Sequence, residues 1–170
     1  MEVREPINID TKLKIRGVEL IWQQPLDMLP VAGFGFTANF TYTKQEDDTP
    51  GAPPAAGVPP RTHNLTVYYE RNGINARVSR QFTSRHVSNS NTGLTVPGGA
   101  YAYATDRSQY DLSLGMNLKQ IFRFPYNTDL TFSAWNLTKE RSATYTQFEN
   151  ALFSLNDPGA SYTLSLRTSF

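Results

Sequence analysis

The sequence predicts an all-β fold: an antiparallel up-and-down meander of about seven long strands. Apolar and polar residues alternate with a period of two along most of the chain, which is the pattern of strands with one apolar face. Glycine, proline and asparagine residues separate the alternating segments, as they do at turns. No segment of useful length has the period of an amphipathic helix. The 170 residues form one domain, 1–170, and no linker divides them.

The first strand is predicted over residues 12–24, and its apolar parity changes partway along. Leu13 and Ile15 share one parity, whereas Val18, Leu20 and Trp22 share the other. One extra residue in a strand moves the following side chains to the opposite face. We therefore expect a β-bulge at Arg16-Gly17.

The second strand, from Gly33 to Thr43, separates apolar from polar residues most clearly. Side chains of a strand point alternately to its two faces, so one face collects Phe34, Phe36, Ala38, Phe40 and Tyr42. The next five strands follow the same rule. Their apolar positions are His63, Leu65, Val67 and Tyr69; Ile74, Ala76, Val78 and Phe82; Tyr110, Leu112, Leu114, Met116 and Leu118; Leu130, Phe132 and Ala134; and Tyr162, Leu164 and Leu166.

Short and long connections alternate along the chain. The short ones are 25–32, 71–73 with the tight-turn pair Asn72-Gly73, and 123–127. The long ones are about 44–60, 88–107 and 139–160. Strict alternation places every long connection at one end of the sheet, which is typical of outer-membrane barrels with short periplasmic turns and long external loops.

The apolar face of such a sheet is either a protein core or a lipid-facing wall. Three observations favour lipid. Aromatic residues fall near both ends of the strands, the strands of ten to twelve residues match a tilted membrane crossing, and the polar faces are rich in threonine, asparagine, serine and glutamine. The alternative is a small soluble antiparallel β-barrel or sandwich that binds a ligand in its interior. It requires Phe34, Phe36, Leu112, Leu114 and Leu164 to be buried against one another.

Arg80 lies on the apolar parity of its strand, between Val78 and Phe82. An arginine facing lipid at mid-bilayer costs about 2–4 kcal/mol, and the cost falls toward zero at the interface. We therefore expect either that Arg80 extends to the external headgroups or that the register shifts at this point.

Composition excludes several classes of function. The net charge of +1 gives no basic surface for nucleic acid, and the absence of cysteine removes thiolate metal sites and cysteine nucleophiles. No run of eighteen apolar residues is present, and the first six residues lack the apolar segment expected of a secretory signal. His63 and His86 have no evident catalytic partner, and the Glu46-Asp47-Asp48 run is better explained as a solvated loop than as a cation site. We expect no catalysis, metal or cofactor.

Several segments, taken in order, resemble a known family. They are Arg4-Glu5-Pro6-Ile7-Asn8, Ile15-Arg16-Gly17-Val18-Glu19-Leu20, Gly33-Phe34-Gly35, Ala38-Asn39-Phe40-Thr41-Tyr42, Tyr68-Tyr69-Glu70-Arg71-Asn72-Gly73, Asp111-Leu112-Ser113-Leu114 and Ala134-Trp135-Asn136-Leu137-Thr138. Together they resemble the late barrel strands of TonB-dependent outer-membrane receptors. The end of the chain is similar to the signal read by the barrel-assembly machinery of Gram-negative bacteria, with Tyr162, Leu164, Leu166 and Phe170 at alternate positions and Thr168 departing from the pattern.

The resemblance implies an incomplete segment of a transmembrane β-barrel in the cell outer membrane. Family members carry a signal peptide, a TonB-binding segment, a plug domain and a barrel of roughly 22 strands. We therefore expect this chain to be the C-terminal part of a receptor, as a fragment, a split gene product or a truncated gene model. Its implied partners are outer-membrane lipid, the assembly machinery, the plug and the remaining strands, a small-molecule nutrient, and TonB acting through the plug.

Substrate contacts are expected on one loop and on the polar face. Asn91, Tyr101 and Tyr103 lie in the glycine- and serine-rich connection 88–107, where stacking and hydrogen bonding suit capture of a siderophore or sugar. Arg77 and Gln81 lie on the polar face and are the best lumen candidates. Asn39, Asn117 and Arg167 share that face, and any of these side chains could bond the plug instead.

Overall fold

The computed structural model describes residues 12–47, 54–89, 101–146 and 148–169. The main sheet has seven antiparallel strands. They are β1 (Leu13–Pro25), β2 (Phe34–Asp47), β3 (Arg61–Arg71), β4 (Ile74–Thr83), β7 (Arg107–Asn117), β8 (Asn127–Trp135) and β11 (Ser161–Ser169). A smaller sheet contains β5 (His86–Asn89), β6 (Ala102–Ala104), β9 (Ser142–Thr146) and β10 (Leu152–Asn156). One short helix, α1 (Leu118–Phe122), completes the elements described.

The strands of the main sheet lie in chain order, β1-β2-β3-β4-β7-β8-β11, and every neighbouring pair is antiparallel. The predicted all-β, seven-stranded antiparallel meander is therefore confirmed. Asn72 and Gly73 both have positive φ, 52° and 77°, which is the backbone of the predicted two-residue hairpin turn. Across the described strands the sheet is open, because its edge strands β1 and β11 do not pair with each other.

The register aligns the apolar sides of all the strands on one face. One row of directly opposite residues consists of Phe36, Val67, Val78, Leu112, Ala134 and Tyr162. The row toward the short turns consists of Phe34, Tyr69, Ala76, Leu114, Phe132 and Leu164. We call this surface the apolar face and the opposite surface the polar face.

The expected bulge at Arg16-Gly17 is wrong. Pairing of β1 with β2 runs without a shift from Leu13 opposite Asp47 to Pro25 opposite Gly35. Since the strand is regular, the side chains of Leu13 and Ile15 point to the polar face. Both are at least one-third exposed there, so the sequence pattern reflected two apolar residues on a polar surface.

The smaller sheet adds four strands to the seven that the sequence predicted. Its order is β10-β9-β6-β5, so β6 of one connection pairs with β9 of the other. The connection after β2 starts later than predicted, because β2 extends to Asp47. All these elements lie at one end of the main sheet, which we call the long-loop end; the other is the short-turn end.

The helix α1 replaces the predicted end of a strand. The Asn117 side chain accepts a hydrogen bond from the backbone N–H of Gln120 at 3.0 Å and so caps the helix. Leu118 and Lys119, predicted as strand residues, therefore lie in the helix. In the described part of the chain, no helix is long and apolar enough to cross a bilayer.

Candidate functional site

The apolar face is exposed across the whole width of the sheet. Leu20 on β1 is 62% exposed, Val78 on β4 48% and Leu164 on β11 70%. The buried apolar residues among those described are only Val87, Ala102, Ala134 and Tyr145. The soluble alternative requires Leu114 and Leu164 to be packed in a closed interior, whereas in the structure these side chains are 41% and 70% exposed.

The polar face carries hydrogen bonds between side chains of neighbouring strands. Asn39 donates to Glu19 at 2.8 Å, and the hydroxyls of Thr66 and Ser79 lie 2.9 Å apart. At the short-turn end, Asn117 donates to Asp129 at 2.7 Å. These cross-strand bonds fix polar side chains on a surface that the sequence predicted to be wet.

Arg77 and Gln81, both predicted as substrate contacts, lie at the same depression of the polar face. It has a volume of about 350 Å³, and its rim also includes Asp111 and Trp135. The Arg77 guanidinium lies 3.6 Å from the Glu70 carboxylate, in an exposed ion pair. The depression therefore combines a cation, an amide, a carboxylate and an indole, which together can bind a polar ring-shaped molecule.

Asp111 organises this depression, and sequence reasoning had not selected it as a site residue. Its carboxylate is buried and accepts hydrogen bonds from the Gln109 amide at 2.9 Å, the Gln81 amide at 3.5 Å and the backbone N–H of Asn136 at 2.9 Å. These three donors satisfy the carboxylate. Asp111 therefore holds the Gln81 amide in position at the edge of the depression.

Trp135 is the second residue that sequence reasoning missed. It pairs with Ser161 on the polar face and is 54% exposed. The signal was available, because Ala134 has the apolar parity of β8 and the next side chain must point the other way. An exposed indole on a polar surface offers a stacking platform for a ligand.

Tyr103 lies in a second cluster, in the smaller sheet. Its ring stacks on Tyr145 at 5.5 Å, and the Arg85 guanidinium lies over both rings, 5.3 Å from Tyr103 and 5.0 Å from Tyr145. The Glu149 carboxylate accepts a hydrogen bond from Arg85 at 2.8 Å. Tyr101 precedes β6, and Asn91 lies outside the described residues.

The Tyr145 hydroxyl is buried and has no hydrogen-bond partner among the described residues. Burial raises the pKa of this phenol, and the nearby Arg85 guanidinium opposes the increase. The phenol is therefore neutral near pH 7, and its ring acts as a packing surface for Arg85.

A cavity of about 430 Å³ opens beside this cluster. It lies between the loop end of β2 and the smaller sheet, and Tyr42, Lys44, Arg85, His86 and Tyr103 are among its lining residues. The described part of the chain contains no group of three or more metal-binding side chains; of the Glu46-Asp47-Asp48 run, Asp48 lies outside that part. His86 donates from Nδ1 to the Ser84 carbonyl at 2.9 Å, so this ring nitrogen holds a local turn.

Arg80 keeps the apolar parity, so the expected register shift does not occur. It lies directly opposite Leu65 and Tyr110. Its Nε donates to the Ser108 hydroxyl at 3.0 Å. Ser108 lies opposite Phe82, one row of the apolar face nearer the long-loop end than Arg80. The side chain thus extends along the apolar face toward that end.

The predicted assembly-signal residues lie on the edge strand β11. Tyr162, Leu164 and Leu166 all belong to the apolar face and are more than half exposed. Thr168 departs from the apolar pattern because its hydroxyl bonds that of Thr128, directly opposite, at 3.1 Å. Phe170 lies outside the described residues.

Comparisons with protein-family models, curated proteins and solved structures found no match.

Proposed function

We propose that this chain forms part of the wall of a transmembrane β-barrel in the outer membrane, in a receptor of the TonB-dependent class. The exposed apolar face carries the proposal. An apolar surface continuous over seven strands is far too large to remain in water, and either protein or lipid must cover it. Lipid fits because the opposite face is polar and internally hydrogen-bonded, as in a barrel lumen.

The ends of the strands also fit a bilayer. At the short-turn end, the rings of Trp22 and Phe36 lie 5.2 Å apart, and those of Phe34 and Tyr69 lie 4.9 Å apart. Aromatic side chains near the ends of the strands are typical of the membrane–water interface. The smaller sheet stands at the long-loop end only, where an outer-membrane protein meets its ligand.

In this proposal the polar depression and the Arg85–Tyr103–Tyr145 cluster receive the nutrient. The role is binding and transport: the loops and the lumen surface hold the molecule, and TonB releases it by acting on a plug. Tyr162, Leu164 and Leu166 present the apolar edge of β11 to the barrel-assembly machinery, and Phe170 completes the sequence signal. Strand addition at such an edge needs only unpaired backbone groups and alternating side chains.

The two tryptophans of the chain provide a matched test of which face meets lipid. Trp22 is on the apolar face and 56% exposed, and Trp135 is on the polar face and 54% exposed. The variants Trp135→Phe and Trp22→Phe each leave one indole, and both are reconstituted into vesicles that contain brominated phosphatidylcholine. We expect the lipid to quench Trp22 strongly and Trp135 weakly, and aqueous iodide to give the reverse order.

Equal quenching of the two indoles by lipid would contradict the proposal, as would iodide access to both. Cell fractionation gives an independent check, with an antibody raised against residues 61–83. We expect the natural protein in the outer-membrane fraction after detergent treatment of the inner membrane. Recovery in the periplasm without detergent would exclude a barrel wall.

A further inference from the structure

Five cationic side chains lie at the long-loop end of the apolar face. One is Lys14, directly opposite Glu46, and we call the other four the basic rim: Arg16, Lys44, Arg61 and Arg80. Their face follows from the register: Arg16 is opposite Lys44, Arg61 is opposite Tyr42, and Arg80 is opposite Leu65 and Tyr110. A lipid-facing surface normally excludes charge, so a group of cations on it requires an explanation.

The rim has an excess of positive charge. Glu46 is on the same face and is shared between Arg16 at 3.7 Å and Lys44 at 3.6 Å. Neither Arg61 nor Arg80 forms an ion pair with a carboxylate in the described ranges. One other acid, Glu140, approaches Ser108, and its carboxylate accepts the backbone N–H of that residue at 3.0 Å.

The side chains around Arg80 hold it in place for an anion at the membrane surface. Its guanidinium lies 5.8 Å from the centre of the Phe82 ring and 5.7 Å from that of Tyr110. The bond to Ser108 turns it toward the long-loop end. The His63 ring stacks on Phe82 at 4.5 Å and completes an aromatic floor under the cation. The Nε–H of the guanidinium is therefore bonded to Ser108, and the N–H groups on its two terminal nitrogens remain available to a ligand.

We propose that the basic rim binds the phosphate group of a lipid in the outer leaflet. This inference rests on the proposed function, because it needs the apolar face to meet hydrocarbon. A lipid satisfies both features at once: its acyl chains cover Leu65 and Val67 below the rim, and its phosphate meets Arg61 and Arg80. Charge complementarity selects a phosphorylated headgroup, since guanidinium groups bind phosphate oxygens in pairs.

The test measures lipid selectivity in vesicles of phosphatidylcholine that contain a trace of spin-labelled lipid. Spin-labelled phosphatidic acid is compared with spin-labelled phosphatidylcholine, and the motionally restricted fraction gives the relative affinity. We expect a several-fold preference for phosphatidic acid in the wild-type chain. The double variant Arg61→Gln/Arg80→Gln should reduce the preference to within about twofold of phosphatidylcholine, since one basic side chain contributes up to about fivefold.

A matched control removes the same charge from the polar face, with Arg107→Gln/Arg167→Gln. We expect this control to keep the wild-type preference. Equal loss in both double variants would overturn the inference, because general charge would then be responsible. Inorganic phosphate, added at constant ionic strength, should leave the preference unchanged. If it abolishes the preference, the site takes free phosphate and the lipid assignment is wrong.

Quenching of Trp22 by brominated phosphatidylcholine, measured for each chain with Trp135→Phe added and in parallel vesicles without spin label, separates the two proposals and shows that each variant has inserted. If Trp22 is quenched and no preference for phosphatidic acid is found, the inference is overturned and the proposed function stands. If Trp22 is not quenched, both are overturned.

Discussion

Asn136 holds the point at which β8 leaves the main sheet. Its side-chain amide donates to the carbonyls of Glu140 at 3.0 Å and Gly159 at 2.9 Å, and its side-chain oxygen accepts the backbone N–H of Glu140 at 2.7 Å. Its φ of 55° is a conformation that asparagine tolerates better than most residues. One buried side chain thus connects the start of a long connection with its end.

We expect Asn136→Ala to lower the free energy of unfolding by about 2–3 kcal/mol, because buried groups lose their partners. The variant Asn136→Gly keeps the positive φ and loses only the hydrogen bonds. Its free energy of unfolding should therefore be a few tenths of a kcal/mol higher than that of Asn136→Ala. Urea titration of the reconstituted chain measures both, and Asn150→Ala, an exposed asparagine in the same connection, should have no effect. A neutral Asn136→Ala would show that this turn forms without its side chain.

Sequence parity was a good guide to single residues inside strands and a poor one at their ends. Arg77 and Gln81 were placed correctly on the polar face, because each lies within a regular strand. Asp111 was missed as an organising residue, since its partner Asn136 is 25 positions away and no local pattern relates them. The cluster of Arg85 with Tyr145 was missed for the same reason.

At the scale of elements, β11 shows how a strand can carry two environments. Leu164 lies on the apolar face, opposite Phe132, and Ser165 lies on the polar face, opposite Thr131. The two positions are adjacent, so they share backbone context, strand edge and distance from the strand ends. They differ only in which surface of the sheet they present.

Leu164 lies in the middle of β11, and barrel strands are tilted, so in the proposed barrel it lies deeper in the bilayer than Phe34 at the start of β2. We expect Leu164→Lys to reduce stability in vesicles by about 2–4 kcal/mol, the cost of lysine facing the bilayer centre, and Ser165→Lys by at most about 1 kcal/mol. Both values are measured by unfolding the lipid-bound chain with urea and following its tryptophan fluorescence. In water, Leu164 is already 70% exposed, so a protein that stays in solution should tolerate the two lysines equally. Equal effects would therefore count against a lipid-facing wall.

The long strands were predictable and the short ones were not. In β2 five apolar residues alternate without a break, and that repetition outweighs any single exception. The strand β6 spans only Ala102–Ala104, and its partner β9 lies some 40 positions away, so no periodic signal can develop. The parity change in β1 was misread as a bulge because Leu13 and Ile15 are apolar on a polar face.

At the scale of the whole molecule, the number of strands determines how the sheet can be closed. Seven strands joined by antiparallel pairs leave β1 and β11 running in the same direction. Direct pairing of the two edges would therefore be parallel. Closure that keeps the antiparallel pattern needs an odd number of further strands between them, as in barrels with an even total.

The cysteine-free chain allows this closure to be tested by disulfide cross-linking. In the membrane-bound protein we expect no cross-link between Leu20→Cys on β1 and Leu164→Cys on β11. The control pair, Phe132→Cys with Leu164→Cys, lies directly opposite on adjacent strands and should cross-link readily. An efficient link between β1 and β11 would show that the sheet closes on itself in parallel.

Pairing of β6 with β9 joins two connections that are separated in the chain by β7 and β8. Neither hairpin has a complete sheet of its own, so each supplies the other with hydrogen-bonding partners. Insertions and deletions within either strand should therefore be accepted during evolution only when the other connection changes with it. The turn around Asn150 lies outside these paired strands and is the place where length can drift independently. A graft of the smaller sheet onto another scaffold would have to carry both connections together.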